Sequence, residues 1–359
     1  MSRINALLAV AGMSCLLASG SSPAAADPVA DFYKGRTGTV ISGYGPSSVY
    51  SVYARLVSNH IGRHLPGNPA FVVQTMAGAG SMRAAGFLYN AAAKDGTTIG
   101  GIGRGVATEP LVFGKRSRTK FDPRKFHWLG SLNSEVSIGA AWHTSGIKTL
   151  ADAKKTSIFL PTGGQASDSA IFTYLTNAIL GTKFKLVAGY RSGGSQNLAL
   201  ERGEVGGRIG WSWSSVAASK RAWVEDGKII IFAQYGLEKH PDLPKVPLIT
   251  ELTNDPDKKK ILEVALIRQG MGRPYVAPPG VPTDRAKALQ TAFAQMLSDP
   301  AFLAEAGRLK LEINAPKTGP QVQALLDRAF DLPQSLKDRV AAAADPANAQ
   351  MKKLEKTKK

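Results

Sequence analysis

Four turns rich in serine and glycine, each between a β-branched run and a helical pattern, hold the residues of this sequence best suited to chemistry. The first is Gly43 to Ser48, where Tyr44, Ser47 and Ser48 lead into Val49, Tyr50 and Ser51. The second is Gly78-Ala79-Gly80, and the third is Thr162-Gly163-Gly164 with Ser167 and Asp168. The fourth is Arg191-Ser192-Gly193-Gly194. A helix N-terminus offers backbone N–H groups without intrahelical acceptors and about half a positive charge from its dipole. Small residues there let a carboxylate or phosphate approach the backbone. One such turn is ordinary connection, but four in the same strand-to-helix context point to anion binding. No Gly-Lys-Ser/Thr follows any of them, and none has the G-x-G-x-x-G spacing of a dinucleotide site.

Other conspicuous side chains admit more than one reading. Asp168 suits an amine ligand or a general base, while a capping role for Asp168 or Ser167 competes. Arg191 suits bidentate pairing with a carboxylate, or an exposed loop. Of Trp211 and Trp213, one is expected in the core and the other stacked on a flat ligand. His60 and His64 lie four apart on a helix, a spacing that can hold metal, but the Glu of H-E-x-x-H is missing. They read as a solvent-side pair, and no metal is expected. The only cysteine is Cys15, there is no G-x-S-x-G elbow, and no histidine is near Ser47, Ser167 or Ser195 in sequence. Nucleophilic catalysis therefore has little support and the chain reads as a non-enzyme without cofactor.

The elements that must position these turns alternate as in α/β proteins with largely parallel strands. Strands are expected at 39–42, 70–74, 97–102 and 126–131, then at 137–141, 157–160, 184–187, 207–209 and 229–233. Val52, Leu56, Val57, Ile61 and Leu65 recur at helical spacing after the first turn. Pro282 opens a long helix over 283–297, Asp299-Pro300 ends or restarts it, and 311–314 has weak strand character. No period of 20–50 residues recurs, which excludes solenoids and propellers.

The chain has 359 residues, 43% of them apolar and 20% charged, enough for two domains with cores. Arg3, the apolar run 6–17 and Ala24-Ala25-Ala26 together read as a secretory signal peptide cleaved after Ala26, which would remove Cys15 as well. A lipid anchor at Cys15 fits less well, because Gly12-Met13-Ser14 is a poor lipobox. Without Arg3 there remain 44 basic and 27 acidic residues, a net charge of +17. Such an excess suits nucleic acid, membrane surfaces or small anions. The dense basic runs at 115–125, 258–260 and 352–359 lack the interleaved aromatics of a nucleic-acid module and read as solvated surface, with a frayed tail at 352–359.

A set of short segments also resembles a known family. These are FYKG at 32–35, GYGP at 43–46 with YARL at 53–56, AGAG at 77–80, KDGTTIG at 94–100 and SDS at 167–169. They continue as LGTKFKLV at 180–187, GY at 189–190, NLALERGEV at 197–205, WSS at 213–215 and RPYVAPPGVP at 273–282. In this order they resemble the extracytoplasmic solute receptors of tripartite tricarboxylate transporters, the Bug receptors. The resemblance implies a type II periplasmic-binding-protein fold, two α/β lobes joined by two crossing strands. The crossings would lie near 134–142 and 272–277, with residues 27–135 plus 278–359 in lobe one and 136–277 in lobe two.

It further implies a small carboxylate held by backbone and short polar side chains. The holding segments would be Tyr44 to Ser51 and Gly78 to Gly80, faced by Thr162 to Asp168 and Arg191 to Ser195, with Trp213 as a wall. Family members usually carry three glycines after the proline and a nearby aspartate; here Ser47, Ser48, Val49 and Ser51 stand at those positions. The expected function is a monomeric periplasmic receptor that captures a small organic anion and passes it to permease subunits in other chains, with no role in binding nucleic acid. A receptor that signals to a membrane partner and a hydrolase for an anionic substrate are the alternatives.

Overall fold

Short β-branched runs, interrupted by helices, build two α/β lobes. The structure, a computed structural model, describes residues 27–117, 119–190 and 192–345. The expected signal segment with Cys15, the basic tail at 352–359 and Arg191 lie outside the described residues.

The first lobe begins with α1 (Pro28–Tyr33) and alternates through β1 (Thr37–Ser42), α2 (Val49–His60), β2 (Ala70–Thr75), α3 (Met82–Asn90), β3 (Thr98–Gly101), α4 (Arg104–Phe113) and β4 (His127–Ser131). The chain then crosses to β5 (Ser137–Trp142), α5 (Leu150–Lys155), β6 (Phe159–Thr162), α6 (Asp168–Leu180), β7 (Lys185–Ala188) and α7 (Gly193–Glu201). It continues through β8 (Gly207–Ser212), α8 (Trp213–Ser219), α9 (Arg221–Glu225), β9 (Ile229–Tyr235) and α10 (Pro256–Leu266). A second crossing leads to β10 (Pro274–Ala277), α11 (Thr283–Met296), α12 (Pro300–Arg308), β11 (Lys317–Thr318), α13 (Gly319–Phe330) and α14 (Gln334–Ala343). Among the described residues no helix is long and apolar enough to cross a membrane.

Six strands form the sheet of the first lobe in the order β11-β4-β10-β3-β1-β2, with β1 parallel to β2 and β3. Consecutive residues point to opposite faces of a strand. Val40 and Tyr275 thus join one core layer with Leu56, Ile99 and Phe293, while Ile41 and Val276 join the other with Leu88, Val106 and Trp128. Each fully buried side chain of this size contributes roughly 1.5–3 kcal/mol.

The second lobe has a parallel pair, β6 with β7, and a sheet ordered β8-β5-β9 in which β5 runs against both neighbours. The largely parallel arrangement expected from the sequence is interrupted in each lobe by a strand adjoining a crossing, and in the first lobe also by the edge strand β11, antiparallel to β4. β5 lies between β8 and β9, and β10 lies antiparallel between β3 and β4. Alternation of strands and helices along the chain does not distinguish such an inserted strand from a parallel neighbour.

Four expectations need correction. Residues 274–277, expected with lobe two, hydrogen-bond into the first lobe's sheet. Helix α14, expected with lobe one, buries Leu336 and Val340 in the core that holds Leu262, Ile171 and Phe172 of the second. Residues 311–314 form no strand, because Lys310 and Ala315 at φ 54° and 42° bracket them with left-handed turns; the strand β11 follows. His60 also departs from the solvent-side reading. It is 3% exposed, with Nε2 2.6 Å from Glu305 Oε2, while His64 meets Asp299 at 3.0 Å, so both fasten α2 and its following turn to the α12 region.

Candidate functional site

The strand-to-helix turns of both lobes face each other across a cavity of about 110 Å³. Serine supplies the N-cap of three of its helices. Ser48 Oγ accepts from Tyr50 N at the start of α2, Ser167 Oγ from Ala170 N at α6, and Ser192 Oγ from Ser195 N at α7. Gly103 caps α4 by backbone alone. Four helices of nine or more residues therefore direct their N-termini at one cavity, two from each lobe, and their dipoles add to a positive potential there.

The lobes touch directly. Ser47 Oγ lies 2.8 Å from Ser192 Oγ, and Gly80 N donates to Gly163 O at 3.0 Å. The Gly78–Ser81 turn runs through positive φ at all four residues, including Ala79 at 48° and Ser81 at 79°. Such conformations cost of order 1–3 kcal/mol each outside glycine. The turn brings its backbone against the other lobe, where a Cβ on Gly80 would come within 2.7 Å of Ser167 N.

Most of the expected residues come together. Tyr44, Ser47, Ser48, Tyr50, Gly78, Gly80, Gly163, Ser167, Asp168, Ser192 and Gly193 line the cavity. Ser51, Ala79 and Thr162 are adjacent but do not line it. Ser51 Oγ turns inward, donating to Gly45 O at 2.9 Å and meeting Ser42 Oγ at 2.8 Å, so it shapes the first turn. Thr162 Oγ1 sits between Ser167 and Ser169 hydroxyls, both at 3.0 Å. Trp213, expected as a wall, is packed in the core with its indole N–H donating to Asp242; Trp211 lines the cavity instead. The pair sits at a strand-to-helix junction, where residue 211 still alternates in β8 and residue 213 has begun α8.

The cations of the cleft were not anticipated. Arg104, at the first position of α4, uses its whole fork of donors. Nε donates to Asp168 at 2.6 Å, Nη1 to Tyr50 Oη and Gly272 O at 3.1 Å each, and Nη2 to Ser137 at 2.8 Å and Ser212 at 3.1 Å. Burial, the largest single influence, works to lower its pKa, but Asp168 together with Tyr50, Glu135 and Tyr44 outweighs it, and the group ends above the ordinary arginine value. With every donor taken, it locks α4 of the first lobe to Asp168, β5 and β8 of the second. Asp168 also lies 3.4 Å from Arg268 Nε, so it is neither a free base nor open to an amine. In the second crossing, Arg273 pairs with Glu135 of the first crossing at 3.1 Å and stacks on Tyr50 with its guanidinium 4.2 Å from the ring.

Arg208 differs from these three. It lies on β8, 7% exposed, its guanidinium 4.2 Å from the Trp211 ring centre. Nη1 donates to Asn197 Oδ1 and, at 3.5 Å, to Gly193 O. Among the described residues no carboxylate pairs with it, and Nε and Nη2 donate to no acceptor. Burial without an acidic neighbour lowers its pKa to about 9, still cationic at neutral pH. Among the described residues around the cavity, four buried arginines, 104, 208, 268 and 273, thus face two buried carboxylates, Glu135 and Asp168, a surplus of two positive charges. A signal for Arg104 was present: Ile102-Gly103-Arg104-Gly105 after β3 repeats the turn pattern of the other four. For Arg208 it was a charge set between Gly207 and Ile209 in a strand.

No protein-family model matches the chain, and no curated protein sequence matches it significantly. Solved structures do match in shape. The periplasmic binding protein BugD aligns over 87% of this chain and 98% of its own, with TM-score 0.65 and 18% identity. MatC from Rhodopseudomonas palustris, solved with bound malate, aligns over 87% and 99% with TM-score 0.66 and 18% identity. Rpa4515 of R. palustris, solved with adipate, aligns over 86% and 97% with TM-score 0.65 and 18% identity. At such identities the likeness establishes the fold, and this chain has the two-lobed α/β fold of periplasmic binding proteins such as BugD and MatC.

Proposed function

We propose that this chain is a periplasmic solute receptor of the Bug type, which closes its lobes on a small organic anion and delivers it to permease subunits in other chains. The observation that carries this reading is the surplus of two buried positive charges where four helix N-termini converge. Buried cations without counter-ions are unfavourable, and a bound anion would remove that penalty. A carboxylate is the simplest such ligand, since the matching structures include one with malate and one with adipate. A receptor rather than a hydrolase is supported by the surroundings of the cleft hydroxyls. Ser47, Ser167 and Ser192 bond to other hydroxyls or to backbone, and the carboxylate nearest them, Asp168, is held by two arginines.

A thermal-shift screen of the chain against carboxylates, aromatic acids, amino acids, phosphate, sugars and cations tests this. A carboxylate at a hundred times its Kd is expected to stabilise the fold by about 2.7 kcal/mol. If sugars or cations raise Tm and no anion does, the anion-receptor reading fails. The first turn is tested by Ser47→Gly combined with Ser48→Gly. Glycine caps a helix nearly as well as serine, and the lost Ser47–Ser192 bond is worth about 1 kcal/mol. We therefore expect the order of preference among carboxylates to change more than Tm. An unchanged order would show that this turn does not read the ligand.

A further inference from the structure

We infer that Arg208 is the specificity-determining residue of the cleft, receiving a second acidic group of the ligand so that doubly charged anions are selected over singly charged ones. This rests on the receptor reading above and adds to it the ligand's charge and the place where that charge is read. Arg104 and Arg268 share Asp168, and Arg273 has Glu135; Arg208 alone of the four has only neutral acceptors, Asn197 Oδ1 and Gly193 O. It is also held still. The guanidinium stacks on Trp211 on one face and is tethered through Nη1 at one end, which leaves Nε and Nη2 as an unused pair of donors at the cavity wall. That pair has the geometry of bidentate carboxylate recognition.

The position of Arg208 bounds the spacing of the ligand's charges. Ser47, at the α2 end of the cleft, meets Ser192 at 2.8 Å, and the next residue, Gly193, places its carbonyl 3.5 Å from Arg208 Nη1. The first-turn donors and Arg208 are thus linked through two consecutive residues, so two acid groups joined by a short chain reach both.

The test is calorimetric titration of wild type, Arg208→Gln and Arg208→Lys with succinate, malate, succinamate and butyrate. Succinamate keeps the length of succinate with one charge fewer. Wild type is expected to bind succinate or malate roughly ten- to a hundred-fold tighter than succinamate and butyrate, the range of one charge-assisted bidentate pair. Arg208→Gln should bring that ratio close to one by weakening the dianions far more than the monoanions, and Arg208→Lys should keep part of it. Removing a buried cation that has no counter-ion should leave the ligand-free Tm unchanged or raise it, whereas loss of a merely structural arginine would lower it. Binding without preference for the dianions, or a preference that survives Arg208→Gln, overturns the inference and leaves the receptor reading standing. So does a variant whose Tm falls while all four affinities fall alike. If wild type binds none of the four, this inference is overturned, while the receptor reading stands or falls by the thermal-shift screen.

Discussion

Asp168→Asn is expected to lower the Tm of the ligand-free protein by at least about 5 °C without abolishing anion binding. Asp168 is 8% exposed and stands at the first position of α6, where it faces Arg104 at 2.6 Å and Arg268 at 3.4 Å. Asparagine keeps the shape and removes the charge, leaving two guanidinium groups in the interior without a counter-ion. Breaking a buried pair by neutralising one partner costs about 3–5 kcal/mol, and a lost negative charge in a first helical turn adds roughly 0.3–1 kcal/mol. In a chain of this size each kcal/mol corresponds to about 2 °C.

The effect on binding has a different sign. Neutralising Asp168 raises the cleft's surplus from two positive charges to three, so a dianion should lose little affinity relative to the loss in stability. Arg104→Gln should be milder in Tm, because Asp168 retains Arg268. The double variant should be more stable than the two separate losses predict, since the pair acts as a unit. Calorimetric unfolding and titration on the same samples separate the quantities. An Asp168→Asn protein that melts with wild type would show that the lobes do not depend on this lock.

These expectations rest on residues of unequal legibility. The four turns were readable because a cap, a glycine and the end of a β-branched run are local signals, and Ser48, Ser167 and Ser192 do cap their helices. The arginines were not, because each is defined by a partner distant in sequence. Arg104 is 64 residues from Asp168, and Arg273 reaches back to Glu135 in the other crossing. The same limit explains Trp211 and Trp213, where a small difference in the end of β8 decides which ring faces the cleft. It also explains β10, whose four residues read equally well as the end of one lobe or the start of the other until their partners in β3 and β4 are known. The glycines of the turns were read as room for a ligand, whereas several give room for the opposing lobe. Gly164 meets the backbone of Ala79, and Gly80 that of Ser167. Local chemistry thus identified the rim of the site, and long-range pairing supplied its charge.

That second use of glycine leads to the largest effect we expect on ligand affinity. Gly194 lies in the first turn of α7, at an ordinary helical φ, so alanine there strains nothing in its own lobe and gains up to about 1 kcal/mol of helix propensity. Its new methyl, however, would lie 2.7 Å from Ser47 Oγ, 2.9 Å from Ser47 Cβ and 3.2 Å from Ser47 O, all across the cleft. Overpacking of this kind costs about 1–3 kcal/mol, and here it falls only on the closed arrangement. Apparent affinity scales with the fraction of molecules able to close, so Gly194→Ala should weaken binding of whichever carboxylate the wild type holds by about 5- to 150-fold. The ligand-free Tm should fall by less than in Asp168→Asn, because the gain in helix propensity offsets part of the clash. Adding Ser47→Gly removes the two atoms nearest the methyl and leaves the carbonyl, so the double variant should recover most of the affinity. The wild-type side chain at residue 47 would then be the obstacle, and steric closure, not lost chemistry, the cause. If Gly194→Ala binds as wild type does, or if Ser47→Gly fails to rescue it, the contact between Ser47 and the start of α7 is not part of the state that holds the ligand.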